Sequence, residues 1–152
     1  MRATVYIPDD ELERFLKKLQ GASKEVKQKA AFELATTAKE IDKNAKRYAP
    51  VNKQKGVGGR MRASIKHIVL TPDNLNHKIE VGAKYGVFVE KGTRAHVIRP
   101  RVAKMLAFEV GGKLVMAKEV HHPGTRPQPF LRPAYLLGVN RFYAKMRNLI
   151  PN

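Results

Sequence analysis

The chain reads as an α+β domain in which a long N-terminal helix and a C-terminal helix pack on a small antiparallel β-sheet built from two hairpins. Three observations carry this. Apolar residues from Val26 to Tyr48 recur every three or four positions, the spacing that lines one helical face. Two pairs of short alternating segments are each joined by turn residues. From Pro133 onward a helical stripe returns. With 152 residues and no linker-like stretch, the span 1–152 is expected to form a single domain.

A short extended segment, ATVYI, precedes Pro8. Asp10 and Glu13 then have capping-box spacing, and Leu12, Phe15, Leu16 and Leu19 form the stripe of a short amphipathic helix that ends near Gly21. In the long helix, Val26, Ala30, Leu34, Ala38, Ile41, Ala45 and Tyr48 step by four or three, and Pro50 stops the run. The alanines on that stripe permit close approach, either in the core or across a subunit boundary. VNKQKGVGGRM, residues 51–61, mixes three glycines with basic residues and predicts a loop. IKHIVLT and HKIEVGA, separated by PDNLN, predict a first hairpin. MLAFEV and KLVMAKEV flank Gly111-Gly112, a two-residue turn suited to a second. Residues 121–133 hold Pro123, Pro127, Pro129 and Pro133, which fix φ and remove donors. That segment is expected to be a stiff connector, unable to continue a sheet or to start a helix before Pro133. Its Phe130 and Leu131 are apolar anchors for a core or for a neighbouring subunit.

Composition narrows the partner class. Thirty Lys and Arg against thirteen Asp and Glu give a formal net charge of +17, a field that attracts polyanions. The stretch Lys43–Pro72 has eight basic residues and no acid. With no tryptophan and few aromatic residues, base stacking is poorly supplied, so contacts to nucleic acid would fall on phosphates and be independent of sequence. The absence of cysteine excludes disulfides and thiolate chemistry. No apolar run reaches the roughly 20 residues of a membrane-spanning helix, and the N-terminus lacks the pattern of a signal peptide. A cytoplasmically made protein is expected.

Catalytic chemistry is weakly represented. His67, His77, His96, His121 and His122 have no ligand spacing, and adjacent histidines on an extended chain point to opposite sides. Glu90, in VFVEKGT, is an acid in apolar surroundings; an arginine partner, or the backbone amides of Gly92 and Thr93, would satisfy it more simply than catalysis would. GVGGR lacks the Walker spacing and its terminal Lys-Ser/Thr. No enzymatic activity, metal or cofactor is expected.

The order of the pieces is more informative than any one of them. Ala49-Pro50 ends the long helix; Gly59–Ile65 reads GRMRASI; Tyr85 is followed by Glu90-Lys-Gly-Thr93; and Pro129–Ala134, PFLRPA, leads into the last helix. Together these resemble the head–tail connector or tail-completion family of long-tailed phages, over roughly residues 30 to 140. Met61 stands where the family pattern has leucine, and the loop before it is longer and more basic than the compact Val-Asp-Thr-Gly of shorter relatives. The resemblance implies a non-enzymatic virion protein, made in the host cytoplasm and placed in the neck or tail. It further implies a homo-oligomeric ring that contacts portal and tail proteins around a DNA channel, with no cofactor and no membrane. On that reading Lys46, Arg47, Lys53, Lys55, Arg60 and Arg62 face DNA, and Glu90, Thr93, Pro129, Phe130 and Leu131 form a docking surface. The rival expectation is a stand-alone, sequence-independent nucleic-acid-binding protein. A metal-dependent nuclease would need a carboxylate cluster that the sequence does not offer.

Overall fold

The structure, a computed structural model, describes residues 10–51, 59–73 and 75–147. The ATVYI segment and most of the basic loop, residues 52–58, lie outside them. In chain order the elements are α1 (Asp10–Gln20), α2 (Lys24–Tyr48), α3 (Arg60–Ala63), β1 (Ile65–Val69), β2 (His77–Val81), α4 (Gly86–Lys91), β3 (His96–Ile98), β4 (Leu106–Val110), β5 (Lys113–Ala117), β6 (Val120–His122) and α5 (Leu131–Met146). The fold class is α+β, with the long helix near the N-terminus and a helix closing the chain.

α2 forms for the reasons its sequence suggests. Ser23 caps it by accepting from the Val26 N–H at 3.4 Å, Glu25 occupies the first turn, and Lys46 and Arg47 sit in the last turn against the negative end of the helix dipole. Ala49, just ahead of Pro50, has the extended ψ of 121° that a following proline favours. Most of the predicted stripe is buried, namely Ala30, Leu34, Ala38, Ile41 and Ala45, joined by Thr37, whereas Val26 at its start is only partly buried and Tyr48 at its end is exposed.

α5 lies antiparallel along that stripe. Its start, Ala134, meets the end of α2 around Ala45 and Ala49, while its last turn packs near Leu34 and Ala30. Arg141 pairs with Glu40 at 3.6 Å and Lys145 with Glu33 at 2.7 Å, in the same descending order. Between these ends, Gly138 faces Ile41 and Thr37 so closely that a Cβ would overlap the isoleucine side chain. The two helices thus make a spine with an apolar cluster at each end. One holds Leu19, Ala30, Leu34, Phe142 and Met146, with Phe15 edge-on to Phe142. The other holds Ile41, Ala45, Ala49, Met61, Ile65, Val81, Phe130, Leu131 and Ala134.

The strands depart from the expected single sheet. Both predicted hairpins are present, β1–β2 with Ile65 opposite Val81 and β4–β5 with Leu106 opposite Ala117, and Gly111 and Gly112 close the second with φ of 57° and 82°. They belong to separate two-stranded sheets, and a third pairs β3 with β6. Only β1–β2 contributes to the core, through Ile65 and Val81. The rest is an arm. Thr93 and Thr125 bridge at its root, β3 and β6 pair above them, Arg99 and Glu119 are 3.0 Å apart beyond, and β4–β5 forms the tip. His121 and His122 therefore lie in a strand, where the proline-rich connector was expected to leave the sheet. α5 also begins two residues ahead of Pro133, because a proline in the first turn lacks only a donor that the helix does not use there.

On β1–β2, His67 Nε2 and His77 Nδ1 are 2.9 Å apart. Burial first, and His77 second, lower the pKa of His67 from 6.5, with nearby Lys39 and Lys46 adding to this and Asp42 opposing it. The unfolded chain thus takes up this proton at a higher pH than the folded one. The stabilising contribution is complete above the unfolded value and is lost as pH falls through the lower folded value.

Two outcomes follow for stability. Gly138→Ala is expected to cost about 1–3 kcal/mol in urea unfolding through overpacking, although alanine favours a helix by about 1 kcal/mol; a more stable variant would contradict the close approach. Unfolding midpoints are expected to fall as pH is lowered from about 7 to about 5, with His67→Gln flattening the decline; an equal decline in the variant would show that other groups carry it.

Candidate functional site

The C-terminal helix starts without any capping side chain of its own. Its N-cap position is Phe130, no side chain bonds there from within the helix, and the first turn holds no acid. Glu90 supplies what is missing from forty residues away. Its Oε2 accepts from the N–H of Phe130 at 2.7 Å and of Leu131 at 2.9 Å, and its Oε1 accepts from the N–H of Arg132 at 2.9 Å. The next residue is Pro133, which has no N–H. Every donor at the start of the helix is therefore either bound by Glu90 or absent.

Glu90 is only 6% exposed. A buried carboxylate is costly unless charge-assisted hydrogen bonds replace its water, and three backbone donors at the positive end of a helix do so. The expected use of backbone amides is present, but the amides belong to α5 rather than to Gly92 and Thr93. The sequence could not show this, because the partner is remote in the chain.

Around this contact the motifs interlock. Gln128 donates its N–H to the Val89 carbonyl at 2.8 Å, fastening the connector to α4. Gly92 follows at φ 71°, and a Cβ there would lie 2.5 Å from the Thr125 carbonyl oxygen and 2.9 Å from Pro127, so glycine is needed for both backbone and space. Thr93 and Thr125 exchange backbone hydrogen bonds at 3.0 and 3.1 Å, and their hydroxyls are 3.0 Å apart. Ser64, in GRMRASI, accepts from the Ala83 N–H at 3.0 Å. Ala49, Met61, Ile65, Phe130, Leu131 and Ala134 enter one apolar cluster. Phe130 is completely buried.

These positions assign the named residues. Glu90, Phe130 and Leu131 are used inside this chain, so of the expected docking set only Thr93, partly exposed, and Pro129, exposed, reach the surface. The basic set is divided. Arg47 and Arg60 are exposed; Arg62, also exposed, donates to the Ala49 carbonyl at 3.4 Å; and Lys46 is paired with Asp42 at 2.7 Å. Lys53 and Lys55 lie outside the described residues. The end of α2 and α3 thus carry the exposed arginines of one basic edge. Among the described residues no group of three or more His, Asp or Glu side chains is placed to hold a metal, and no helix is long and apolar enough to cross a membrane.

A family model described as "Bacteriophage HK97-gp10, putative tail-component" matches residues 10–92. The match runs from α1 through the Glu90-Lys-Gly turn and stops before the arm and before Pro129–Ala134. No curated protein and no solved structure matches the chain.

Glu90→Gln replaces one acceptor oxygen by an NH2 group facing backbone donors and removes the charge. A loss of about 2–4 kcal/mol in urea unfolding is expected; a loss below about 1 kcal/mol would mean that the carboxylate does not hold the helix start.

Proposed function

Because the chain belongs to the HK97-gp10-like family of bacteriophage tail components, we propose that it joins the phage head to the tail as a non-enzymatic subunit of a ring around the DNA channel. The basic edge is the observation that carries this reading. Arg47, Arg60 and Arg62 are exposed at the end of α2 and in α3, and the intervening sequence adds Lys53 and Lys55. Asp42, one turn earlier on α2, is engaged by Lys46. A ring that repeats this edge around a lumen gives a positive wall with few stacking surfaces. Such a wall attracts phosphates without reading bases, which suits DNA that must be guided and still slide.

The non-enzymatic part of the proposal is supported by Glu90. It is the one acid the sequence singled out as a catalytic candidate, and its oxygens are committed to the backbone of α5. Its partners in the virion are then the portal side, the tail side and further copies of itself, with phosphate contacts to the genome.

Neutralising Lys53, Lys55, Arg60 and Arg62 together tests the placement. Folding and ring formation, the latter followed by negative-stain imaging and native mass measurement, are expected to persist. DNA retention is expected to weaken, with a flatter salt dependence of binding and no preference among sequences, since each lost phosphate contact lowers the slope by roughly one. An unchanged salt slope with lost joining to structural partners would put the edge against protein. A protein that stays monomeric and binds DNA tightly would favour stand-alone nucleic-acid binding, which the +17 charge also suits.

A further inference from the structure

The root of the arm and α4 enclose a groove whose apolar and polar linings point to one kind of occupant. Alternate residues of a strand share a face, as do opposed residues of an antiparallel pair, so His96, Ile98 and His122 lie on one side of β3–β6. With Tyr85, just before α4, and Phe88 within it, they line an open groove of about 480 Å³. Phe88 is 57% exposed there. The volume falls within the roughly 300–1,000 Å³ of sites that take a small ligand or a few side chains.

The polar lining is rich in donors. Arg126 reaches the groove, and among the described residues no hydrogen bond or ion pair engages its side chain. The Gly124 N–H donates to His122 Nδ1 at 3.0 Å, so the neutral ring carries its proton on Nε2, and that nitrogen donates in both charge states. Acids are kept away. Among the described residues no Asp or Glu lines the groove, and Glu119, just before β6, is bound by Arg99 at 3.0 Å and His121 at 3.3 Å on the opposite side of the strand pair.

An occupant must therefore bring both apolar side chains and negative charge. DNA brings charge, but its phosphates gain nothing from a largely apolar wall that offers one guanidinium. A second copy brings thirteen acids against thirty bases and is repelled. An acidic protein is drawn by the +17 field and can supply side chains of both kinds.

We propose that this groove binds an acidic segment of a different protein, in which an Asp or Glu carboxylate takes the paired donors of Arg126 and an adjoining large apolar side chain settles against Phe88 and Ile98. The His122 Nε2–H supplies a further donor. Arginine presents a planar fork that matches a carboxylate bidentately, and the contact is stronger beside apolar walls that exclude water. The inference stands apart from the ring reading, because it concerns a partner unlike this chain and a surface other than the basic edge.

Selection of short random displayed peptides on the full chain tests it without presupposing a sequence. Enrichment of Asp or Glu next to Phe, Tyr, Leu or Ile is expected. The best peptide is then made with a fluorophore and titrated. Arg126→Glu and Phe88→Ala are each expected to weaken its binding by about 10-fold or more at an unchanged melting temperature. Lys29→Glu, the same change of charge at an exposed site on α2, is expected to weaken it by less than about 2-fold, as screening predicts for a distant charge. No enrichment, enriched peptides without acids, or equal losses in Arg126→Glu and Lys29→Glu would overturn the proposal. Single-stranded oligothymidylate that binds in place of any peptide, and is lost with Phe88→Ala, would give the groove to nucleic acid. Self-association that Arg126→Glu and Phe88→Ala abolish, with no peptide bound, would give it to a second copy. Either result would overturn the acidic partner.

Discussion

One carboxylate fixes the relation between the two halves of this molecule. Glu90 belongs to a six-residue helix that has little stability of its own, and α5 begins on a phenylalanine that cannot cap it. Each supplies what the other lacks: the acid needs donors to remain charged away from water, and the helix needs acceptors for N–H groups that no carbonyl can reach. The contact is asymmetric in its failure. Removing the acid leaves several buried donors unmet, whereas the whole arrangement contributes only modestly relative to two solvated partners. Its larger effect is positional, since it sets α4 against the start of α5, and with them the connector and the root of the arm.

Legibility in the sequence tracks the distance over which a signal acts. Most of the α2 stripe and both hairpins were readable because periodicity and turn chemistry are local; α5 was readable as a helix, but of the stripe expected on it Ala134, Phe142 and Met146 are buried while Leu137 is exposed, and Val139 is buried in its place. α3 and α4, four and six residues long, are too short to display a period. The pairing of His96–Ile98 with Val120–His122 joins segments separated by an entire hairpin, and nothing in either triplet names its partner. Strand alternation likewise does not say which strands share a sheet, which is why a single sheet of two hairpins was expected where the described residues form three separate pairs. The ordered motifs did mark residues that matter. What they do, however, is hold the chain together: Phe130 and Leu131, read as anchors for a core or a neighbouring subunit, enter the core, and Glu90 binds amides that lie beyond the reach of sequence inspection.

The basic excess is sharpened by how the few acids are placed. Glu33 and Glu40 are engaged along α5, Asp42 by Lys46, and Glu119 by Arg99 in the arm. Each such pair is worth little in stability at an exposed site. Their combined result is electrostatic. Acids neutralise the flanks of the spine and the junction within the arm, while the end of α2 and α3 keep their positive charge outward. The β4–β5 ribbon, with Glu109 and Lys113 as its charged residues, and the basic edge are therefore surfaces of different charge on one chain.

The clasp between Thr93 and Thr125 has a further consequence for how this architecture can change. Because the chain leaves and re-enters the body at adjacent positions joined by backbone hydrogen bonds, everything between them is topologically an insertion. Lengthening a closed excursion is inexpensive, about 0.6 kcal/mol for each doubling of a flexible loop, and no core side chain is displaced by it. The tip can therefore be rebuilt by mutation, in length or in apolar pattern, while the helical spine and its carboxylate latch stay as they are. Divergence is thereby directed into the segment where recognition by a new neighbour would be written.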